Sequence, residues 1–331
     1  MKAAVIGGGS WGTTLADMLC RKGYQVRLWV REEGLAQEIS DRHENTWYLP
    51  GITLAPELQV DNDPRQIAQG ADIYLVVVPC QFMRGVIQDF KEFMPDNPVV
   101  VCASKGVELA TLKPQSMVVR EALSGKNPRY AVLSGPSFAD EVSRRLPTAV
   151  SLGCEDLSLG RKLQDMLSTD FFRVYANSDY KGVELGGALK NIMAIAAGIS
   201  DGLQFGHDAR AALITRGLVE MSRFGVSLGA SRNTFMGLSG MGDLVLTCTG
   251  DLSRNRQVGL KVGQGSTLDE ILSRTRTVAE GVKTTESVFC LSRELKVDMP
   301  ITEQVHRVLF ENKDPGTAVQ ELMTRELKIE E

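Results

Sequence analysis

Histidine is nearly missing. His43, His207 and His306 are the only three in 331 residues, so a multi-histidine metal site is not expected, and a group that moves protons near neutral pH must come from another residue type. Cysteine is present but unorganised: Cys20, Cys80, Cys102, Cys154, Cys248 and Cys290 contain no C-x-x-C pair, which reads as reduced cytosolic thiols. No Lys/Arg cluster exceeds two residues, and 37 basic against 41 acidic side chains leave a formal charge of -4. That balance disfavours a nucleic-acid partner. Long apolar runs are also lacking. The longest charge-free stretch, Ala3 to Ala16, includes four glycines and falls short of the roughly 20 residues of a membrane span. The chain passes from Met1-Lys2 directly into Ala-Ala-Val-Ile and a glycine loop, which leaves no room for a signal peptide. A cytoplasmic, non-membrane-spanning protein is therefore expected.

With 43% hydrophobic and 24% charged residues, the composition is that of a globular protein of about two domains. In the first half, short β-branched runs alternate with helical windows, the pattern of a doubly wound parallel sheet. Strands are expected at 3–6, 25–30, 73–78, 99–103, 130–133, 148–152 and 173–175. Helices fit at 13–21, 34–39, 64–69, 82–93 and 157–167. Ile73 to Val78 is apolar on both faces, as a covered central strand should be. After about Asn177 strands give way to helical windows at 186–199, 209–224, 254–262, 283–294, 302–310 and 318–325, with Asp179 placed to cap the first. The expected architecture is an α/β Rossmann domain over 1–178 followed by an all-α domain over 179–331.

Gly7-Gly8-Gly9-Ser10-Trp11-Gly12 is a G-x-G-x-x-G that follows a strand and opens a helix, a dinucleotide fingerprint in that context. Gly7 allows the tight turn, Gly9 lets backbone approach a pyrophosphate, and Gly12 lets helix and strand lie close. The helix N-terminus offers free N–H groups to phosphates. Roughly 20 residues on, where an acidic residue commonly meets the ribose hydroxyls, stands Arg31, which suits a 2′-phosphate and so NADPH. Glu32 and Glu33 could turn inward instead, which would suit NADH, and a solvated charge run is the plain alternative.

In the second half, Gly240 to Thr249 followed by Ser253-Arg254-Asn255 is rich in small, polar and charged residues and reads as a non-core connection between helices. Ser253 is a good N-cap. Arg254 would then lie in the first turn, where a cation opposes the helix dipole unless an anion docks there. Pairing with a carboxylate such as Asp251 is the competing account. Lys190 sits in an apolar, Gly/Ala-rich helix between Gly187 and Ala194, where it either snorkels to solvent or points into a cleft. A buried lysine has a lowered pKa and can serve as a general base. Lys105 follows a strand at its carboxyl end, where open α/β sheets bind ligands.

At these residues the sequence resembles the bacterial NAD(P)-dependent glycerol-3-phosphate dehydrogenase family nearly end to end. The matching segments are Gly7 to Thr13, Ser104-Lys105-Gly106, Ser134 to Ala139, Gly187-Ala188-Leu189-Lys190-Asn191, Ala211 to Gly217, Gly240 to Asp243, Ser253-Arg254-Asn255 and Val278 to Gly281. The resemblance implies hydride transfer between C2 of sn-glycerol 3-phosphate and NAD(P), giving dihydroxyacetone phosphate, with the reverse direction supplying phospholipid synthesis. It implies dinucleotide contacts at Ser10, Trp11, Arg31, Lys105, Ala139, Arg254, Val278 and Glu280. It implies substrate contacts at Lys105, Gly135, Ser137, Lys190, Asp243, Ser253, Arg254 and Asn255, with Lys190 as proton acceptor. NADPH/NADP and NADH/NAD are the cofactors expected, without a metal. The partner is a small phosphorylated substrate; the oligomeric state stays open, a homodimer included.

The chemistry agrees, since oxidising a secondary alcohol requires a group that takes the hydroxyl proton. Lys105 could polarise the C2 oxygen, Asp243 could position or charge a lysine, and Arg254-Asn255 could hold the phosphate. One segment departs from the family: Gly206-His207-Asp208 stands where Gly-x-Asn is common. Rival functions are another Rossmann-plus-helical dehydrogenase, acting on a 3-hydroxy acid or on a sugar nucleotide with Cys248 as nucleophile, and a nucleotide-sensing protein without turnover. The latter is expected to have lost its base or its phosphate site, yet Lys190 and Arg254 are both present.

Overall fold

The computed structural model describes residues 1–273, 279–327 and 329. Eight strands form one sheet: β1 Lys2–Ile6, β2 Gln25–Trp29, β3 Gln59–Asp61, β4 Ile73–Val76, β5 Val99–Cys102, β6 Arg129–Ser134, β7 Thr148–Cys154 and β8 Phe172–Asn177. Their order is β3-β2-β1-β4-β5-β6-β7-β8. β1 and β4 lie side by side although their connections leave in opposite directions, which makes this junction the point where a doubly wound sheet opens a crevice at its carboxyl ends. Every residue of β4 and β5 is buried, as expected for parallel strands covered on both faces. The sheet is not wholly parallel. β7 runs antiparallel to β6, with Leu133 opposite Leu152, and β8 runs parallel to β7.

The sheet's helices are α1 Ser10–Arg21, α2 Glu33–Arg42, α3 Pro64–Ala68, α4 Met83–Phe90, α5 Gln115–Ala122, α6 Ala139–Ser143 and α7 Leu157–Leu167. Sequence patterning had no counterpart for β3, α5 or α6. β3 is a three-residue edge strand without apolar alternation. α5 buries the polar Gln115 and Ser116, which the apolar-stripe criterion passes over.

The helical region comprises α8 Tyr180–Gly202, α9 Gly206–Ser227, α10 Asp243–Thr249, α11 Arg254–Gly263, α12 Leu268–Ser273, α13 Glu280–Glu294, α14 Pro300–Phe310 and α15 Pro315–Met323. Asp179 caps α8 by accepting from the Gly182 N–H at 3.0 Å. α8 has the length and apolarity of a membrane span, but that stretch is buried inside the protein. It packs against β6, β7, α9, α10, α11 and α13, which is why it is apolar all round.

The crossing of α8 and α11 is built on glycine. A Cβ on Gly198 would lie 2.0 Å from the Arg256 carbonyl oxygen, and one on Gly259 would lie 2.0 Å from that of Ile195. Gly202 and Gly263 repeat the arrangement against Leu260 and Ile199, at 2.5 Å each. The two backbones therefore touch with no side chain between them.

The reading of Gly240 to Thr249 as a non-core connection is corrected here. Leu238–Gly242 is a turn of π-helix that runs into α10, and Asp243, Leu244, Thr247 and Cys248 are buried. The small residues serve close packing: a Cβ on Gly240 would meet the Phe235 carbonyl oxygen at 2.1 Å.

Candidate active site

Three connections leave the carboxyl end of the parallel strands. The glycine loop follows β1, Lys105 follows β5, and Gly135 and Ser137 follow β6; α8 packs on Ser134 through Gly187, α10 reaches Lys105 through Asp243, and α13 reaches Cys80 through Glu280. Gly7 has φ +128°, and a Cβ there would lie 2.4 Å from the Val77 carbonyl oxygen. A Cβ on Gly12 would lie 1.9 Å from the Gly7 carbonyl oxygen, whereas one on Gly9 would meet nothing within 4 Å. So Gly7 and Gly12 are required by packing, and Gly9 marks the open side. α1 starts at Ser10 with no side-chain cap, and its first N–H groups face that opening. Free helix N–H groups beside a bare backbone fit a pyrophosphate, so the dinucleotide expected from sequence has a cradle here.

Ser10 and Trp11 lie on the first turn of α1, the latter half-buried against Phe172 with ring centroids 6.2 Å apart. Ala139 opens α6, and its carbonyl accepts from Thr14 Oγ1 at 3.3 Å, which ties that turn to α1. Arg31 stands just past β2, exposed, as do Glu32 and Glu33. Val278 lies outside the described residues.

Asp243 joins two lysines, one from each half of the chain. Lys105 Nζ donates to Asp243 Oδ2 at 2.6 Å, and Lys190 Nζ donates to Oδ1 at 2.9 Å. Lys190 also donates to Thr247 Oγ1 at 2.6 Å, while that hydroxyl donates to the Asp243 carbonyl at 2.6 Å. Lys190 is 7% exposed, so it does not snorkel. Burial lowers its pKa to about 8, with Lys105 pushing the same way and Asp243 opposing. Burial pushes Asp243 upward, but the two ammonium groups outweigh it and hold the carboxyl below its ordinary value. The result is a carboxylate with two amines, one of them poised near neutrality.

Close packing sets this geometry. A Cβ on Gly187, one turn before Lys190, would lie 2.3 Å from Ser134 Oγ and 3.5 Å from Lys105 Cγ. Gly135 has φ +152° with Val150 Cα 2.8 Å from any added Cβ. Its carbonyl accepts from Ser137 Oγ at 3.0 Å and from Lys105 Nζ at 3.4 Å.

At the start of α11, Ser253 Oγ accepts from the Arg256 N–H at 3.2 Å, the cap its sequence suggested. Arg254, in the first turn, is exposed and makes no ion pair among the described residues. Asp251 pairs instead with Arg256, at 2.8 Å. Surrounding protein lowers the Arg254 pKa against the attraction of Glu280. Asn255 is buried and holds helices together: Nδ2 donates to Asn191 Oδ1 at 2.9 Å, and Oδ1 accepts from the Gly281 N–H at 2.9 Å. Glu280 opens α13, and its Oε1 accepts from the Cys80 N–H at 3.1 Å, linking the two halves of the chain. Its Oε2 is buried without a partner, and burial raises the carboxyl to about 7 against that N–H and Arg254.

Thr247 and Asn191 were not singled out from sequence as site residues. Thr247 stands four residues after Asp243, on the same helix face, a signal visible only once the segment is known to be helical. Cys248 is fully buried, and burial pushes its thiol up to about 12, unsuited to a nucleophile that works as a thiolate. His207 is exposed at the start of α9, where Gly206 takes φ +84°.

Comparison with known proteins identifies the family. Residues 2–160 match the family described as NAD-dependent glycerol-3-phosphate dehydrogenase N-terminus, and residues 179–320 match its C-terminus. A glycerol-3-phosphate dehydrogenase [NAD(P)+] of Maridesulfovibrio salexigens is 61% identical over 330 residues, covering 100% of both chains. The protein of the same name from Solidesulfovibrio magneticus is 59% identical with the same coverage. The crystal structure of glycerol-3-phosphate dehydrogenase from Coxiella burnetii superposes with a TM-score of 0.94 at 42% identity, covering 98% of this chain and 99% of that one.

Proposed function

Because the chain belongs to the NAD-dependent glycerol-3-phosphate dehydrogenase family, we propose that it catalyses reversible hydride transfer between C2 of sn-glycerol 3-phosphate and NAD(P), with dihydroxyacetone phosphate as the ketone. The observation that carries this reading is the pair of lysines on Asp243, one of them buried, built onto the carboxyl end of a sheet whose first strand runs into a glycine loop and an uncapped helix. The nicotinamide, when bound, supplies or accepts the hydride at C2. Everything else is work for the protein's own side chains.

In the reductive direction Lys190 gives its proton to the C2 oxygen, and in the oxidative direction its neutral amine takes the hydroxyl proton. A lysine near pKa 8 can do both around neutral pH. Lys105 donates a hydrogen bond to the same oxygen and steadies the negative charge that gathers there. Asp243 keeps both amines in place and, by its charge, keeps Lys190 from losing its proton too readily. Arg254, with Ser253 and Asn255 at the start of α11, holds the phosphate, and fixing that remote group sets C2 in the reacting position. Gly135 and Ser137 line the substrate between them.

On the dinucleotide side, Gly7, Gly9 and Gly12 form the turn, with Ser10 and Trp11 at the helix start. Arg31 meets the 2′-phosphate, which favours NADPH while leaving NADH usable. Lys105, Ala139, Val278, Arg254 and Glu280 complete the contacts. The division falls at 1–178 for dinucleotide binding and 179–331 for the helical part that supplies Lys190 and Arg254. The protein acts in the cytoplasm and supplies glycerol 3-phosphate for phospholipids; a homodimer is the assembly to seek by light scattering.

The deciding experiment is the loss of NADPH or NADH absorbance on adding dihydroxyacetone phosphate. Absence of consumption with either cofactor would refute the assignment.

A further inference from the structure

Beyond the residues assigned above, a side chain outside the glycine loop aims it. Asn45 lies in the segment between α2 and β3 and is 0% exposed. Its Nδ2 donates one hydrogen to the Gly8 carbonyl and the other to Thr13 Oγ1, both at 2.8 Å, and its Oδ1 accepts from the Tyr48 N–H at 3.1 Å. These three bonds use the donors on one end and the acceptor on the other, so the amide can sit in only one orientation. The segment is anchored apart from Asn45 as well: Ala55 N–H donates to Asp17 Oδ1 at 2.6 Å, and Arg21 donates to the Thr53 carbonyl at 2.6 Å. Asn45 therefore reaches the loop from a fixed base.

The Gly8 carbonyl and the Gly9 N–H belong to one peptide unit. That unit is planar and trans, so the two point in opposite directions; no cis peptide is present among the described residues. Holding the Gly8 oxygen inward on Asn45 turns the Gly9 N–H outward, toward the side where a Cβ on Gly9 meets nothing. Gly9 is the N-cap of α1, and its N–H donates to no backbone acceptor among the described residues. Glycine's freedom would otherwise let this peptide rotate, since neither flanking residue has a side chain to stop it.

We propose that Asn45 is a positioning residue for dinucleotide binding: it fixes the Gly8–Gly9 peptide so that the Gly9 N–H is directed at the bound pyrophosphate. This rests on the reading of the glycine loop as the NAD(P) site. Thr13 assists, as its hydroxyl also lies 3.4 Å from the Gly8 carbonyl.

The test uses the full chain and direct NADPH binding, read by protein-fluorescence quenching, beside steady-state kinetics. Asn45→Leu removes the donors and should raise the NADPH Kd about tenfold, the worth of one well-directed hydrogen bond. kcat and the KM for dihydroxyacetone phosphate at saturating NADPH should stay within about twofold, because the lysine cluster is untouched. Asn45→Asp supplies a readout that a merely structural role would not move. Its buried carboxylate would face the Gly8 carbonyl and bind NADPH poorly at pH about 8. Protonation at lower pH restores a donor, so affinity should recover as pH falls toward about 6, more than in the parent. Thr46→Val, which removes a 2.6 Å bond to Glu38 in the same segment, is the control for destabilisation and should leave the Kd unchanged. If Asn45→Leu does not fold, Asn45→Asp and Thr13→Val carry the test. Unchanged NADPH affinity in the folded variants, or a fall in kcat at unchanged Kd, overturns the role of Asn45. Failure of the parent itself to bind NADPH or NADP would instead overturn the loop assignment.

Discussion

Lys190 and Asp243 come from helices 53 positions apart in sequence and meet at 2.9 Å with both side chains buried. The same carboxylate holds Lys105 at 2.6 Å, so three charges share one small volume and none can change without altering the others.

Replacing Lys190 with Ala removes the proposed proton donor but leaves the glycine loop intact. NADPH affinity, measured by fluorescence titration, should stay near the parent value while turnover falls at least about a hundredfold. Near-normal turnover would remove Lys190 from the mechanism.

With Lys190 as the proposed donor, reduction of the ketone by the parent needs that lysine protonated, so its kcat should fall as pH rises through about 8. Asp243→Asn withdraws the charge that opposes the effect of burial. The pKa of Lys190 then drops further, and the fall in the kcat profile should move to lower pH by about one unit or more. A profile that stayed in place would show that Asp243 does not govern the proton.

Arg254→Ala should raise the KM for dihydroxyacetone phosphate by more than about tenfold, since charge-assisted bonds to phosphate are among the stronger ones. Inorganic phosphate or phosphite should raise the rate with dihydroxyacetone in the parent and not in this variant. An unchanged KM would place the phosphate elsewhere.

Gly259→Ala tests the crossing of α8 and α11. An added methyl group 2.0 Å from the Ile195 carbonyl oxygen forces the helices apart, and overpacking of this kind costs ~1–3 kcal/mol. Thermal unfolding should show a clearly lower Tm than for the exposed control Gly34→Ala, whose Cβ meets nothing.

Glu220 gives a stability prediction with a definite sign. Its buried carboxylate accepts from the Ile301 and Thr302 N–H groups at 2.8 Å each, yet burial still raises its pKa to about 7. Between the ordinary value and about 7 the folded chain holds a proton that the unfolded chain releases, so this residue's contribution weakens as pH rises through that window. Compared with Glu220→Gln, which does not ionise, the parent should lose Tm progressively from pH about 5 to about 8. A constant difference would contradict the shift.

Much of this was legible in the sequence because local chemistry and fold agree there. The glycine loop, the apolar strands, the Asp179 and Ser253 caps and the chain-length alternation are all signals that a single segment carries. α10 was not legible as a helix, because Gly240 and Gly242 read as turn residues; the bare backbone at Gly240 is demanded instead by the Phe235 carbonyl, which only the folded π-turn brings within 2.1 Å of an added Cβ. Thr247 was missed for the same reason. Asn45 was invisible because its partners, Gly8 and Thr13, lie more than 30 positions away. Antiparallel β7 likewise depends on where the chain returns, which strand composition does not encode.

The backbone contact between α8 and α11 makes one rigid part of the pieces that carry Lys190 and Arg254, and the Asn191–Asn255 bond locks the residues next to each. The backbone span from the proposed proton donor to the proposed phosphate anchor is thus a fixed ruler. On those roles substrate length should be measured rather than accommodated, and a phosphorylated ketone one methylene longer should occupy the site yet present the wrong carbon to Lys190. Product analysis with that homologue would read the ruler directly.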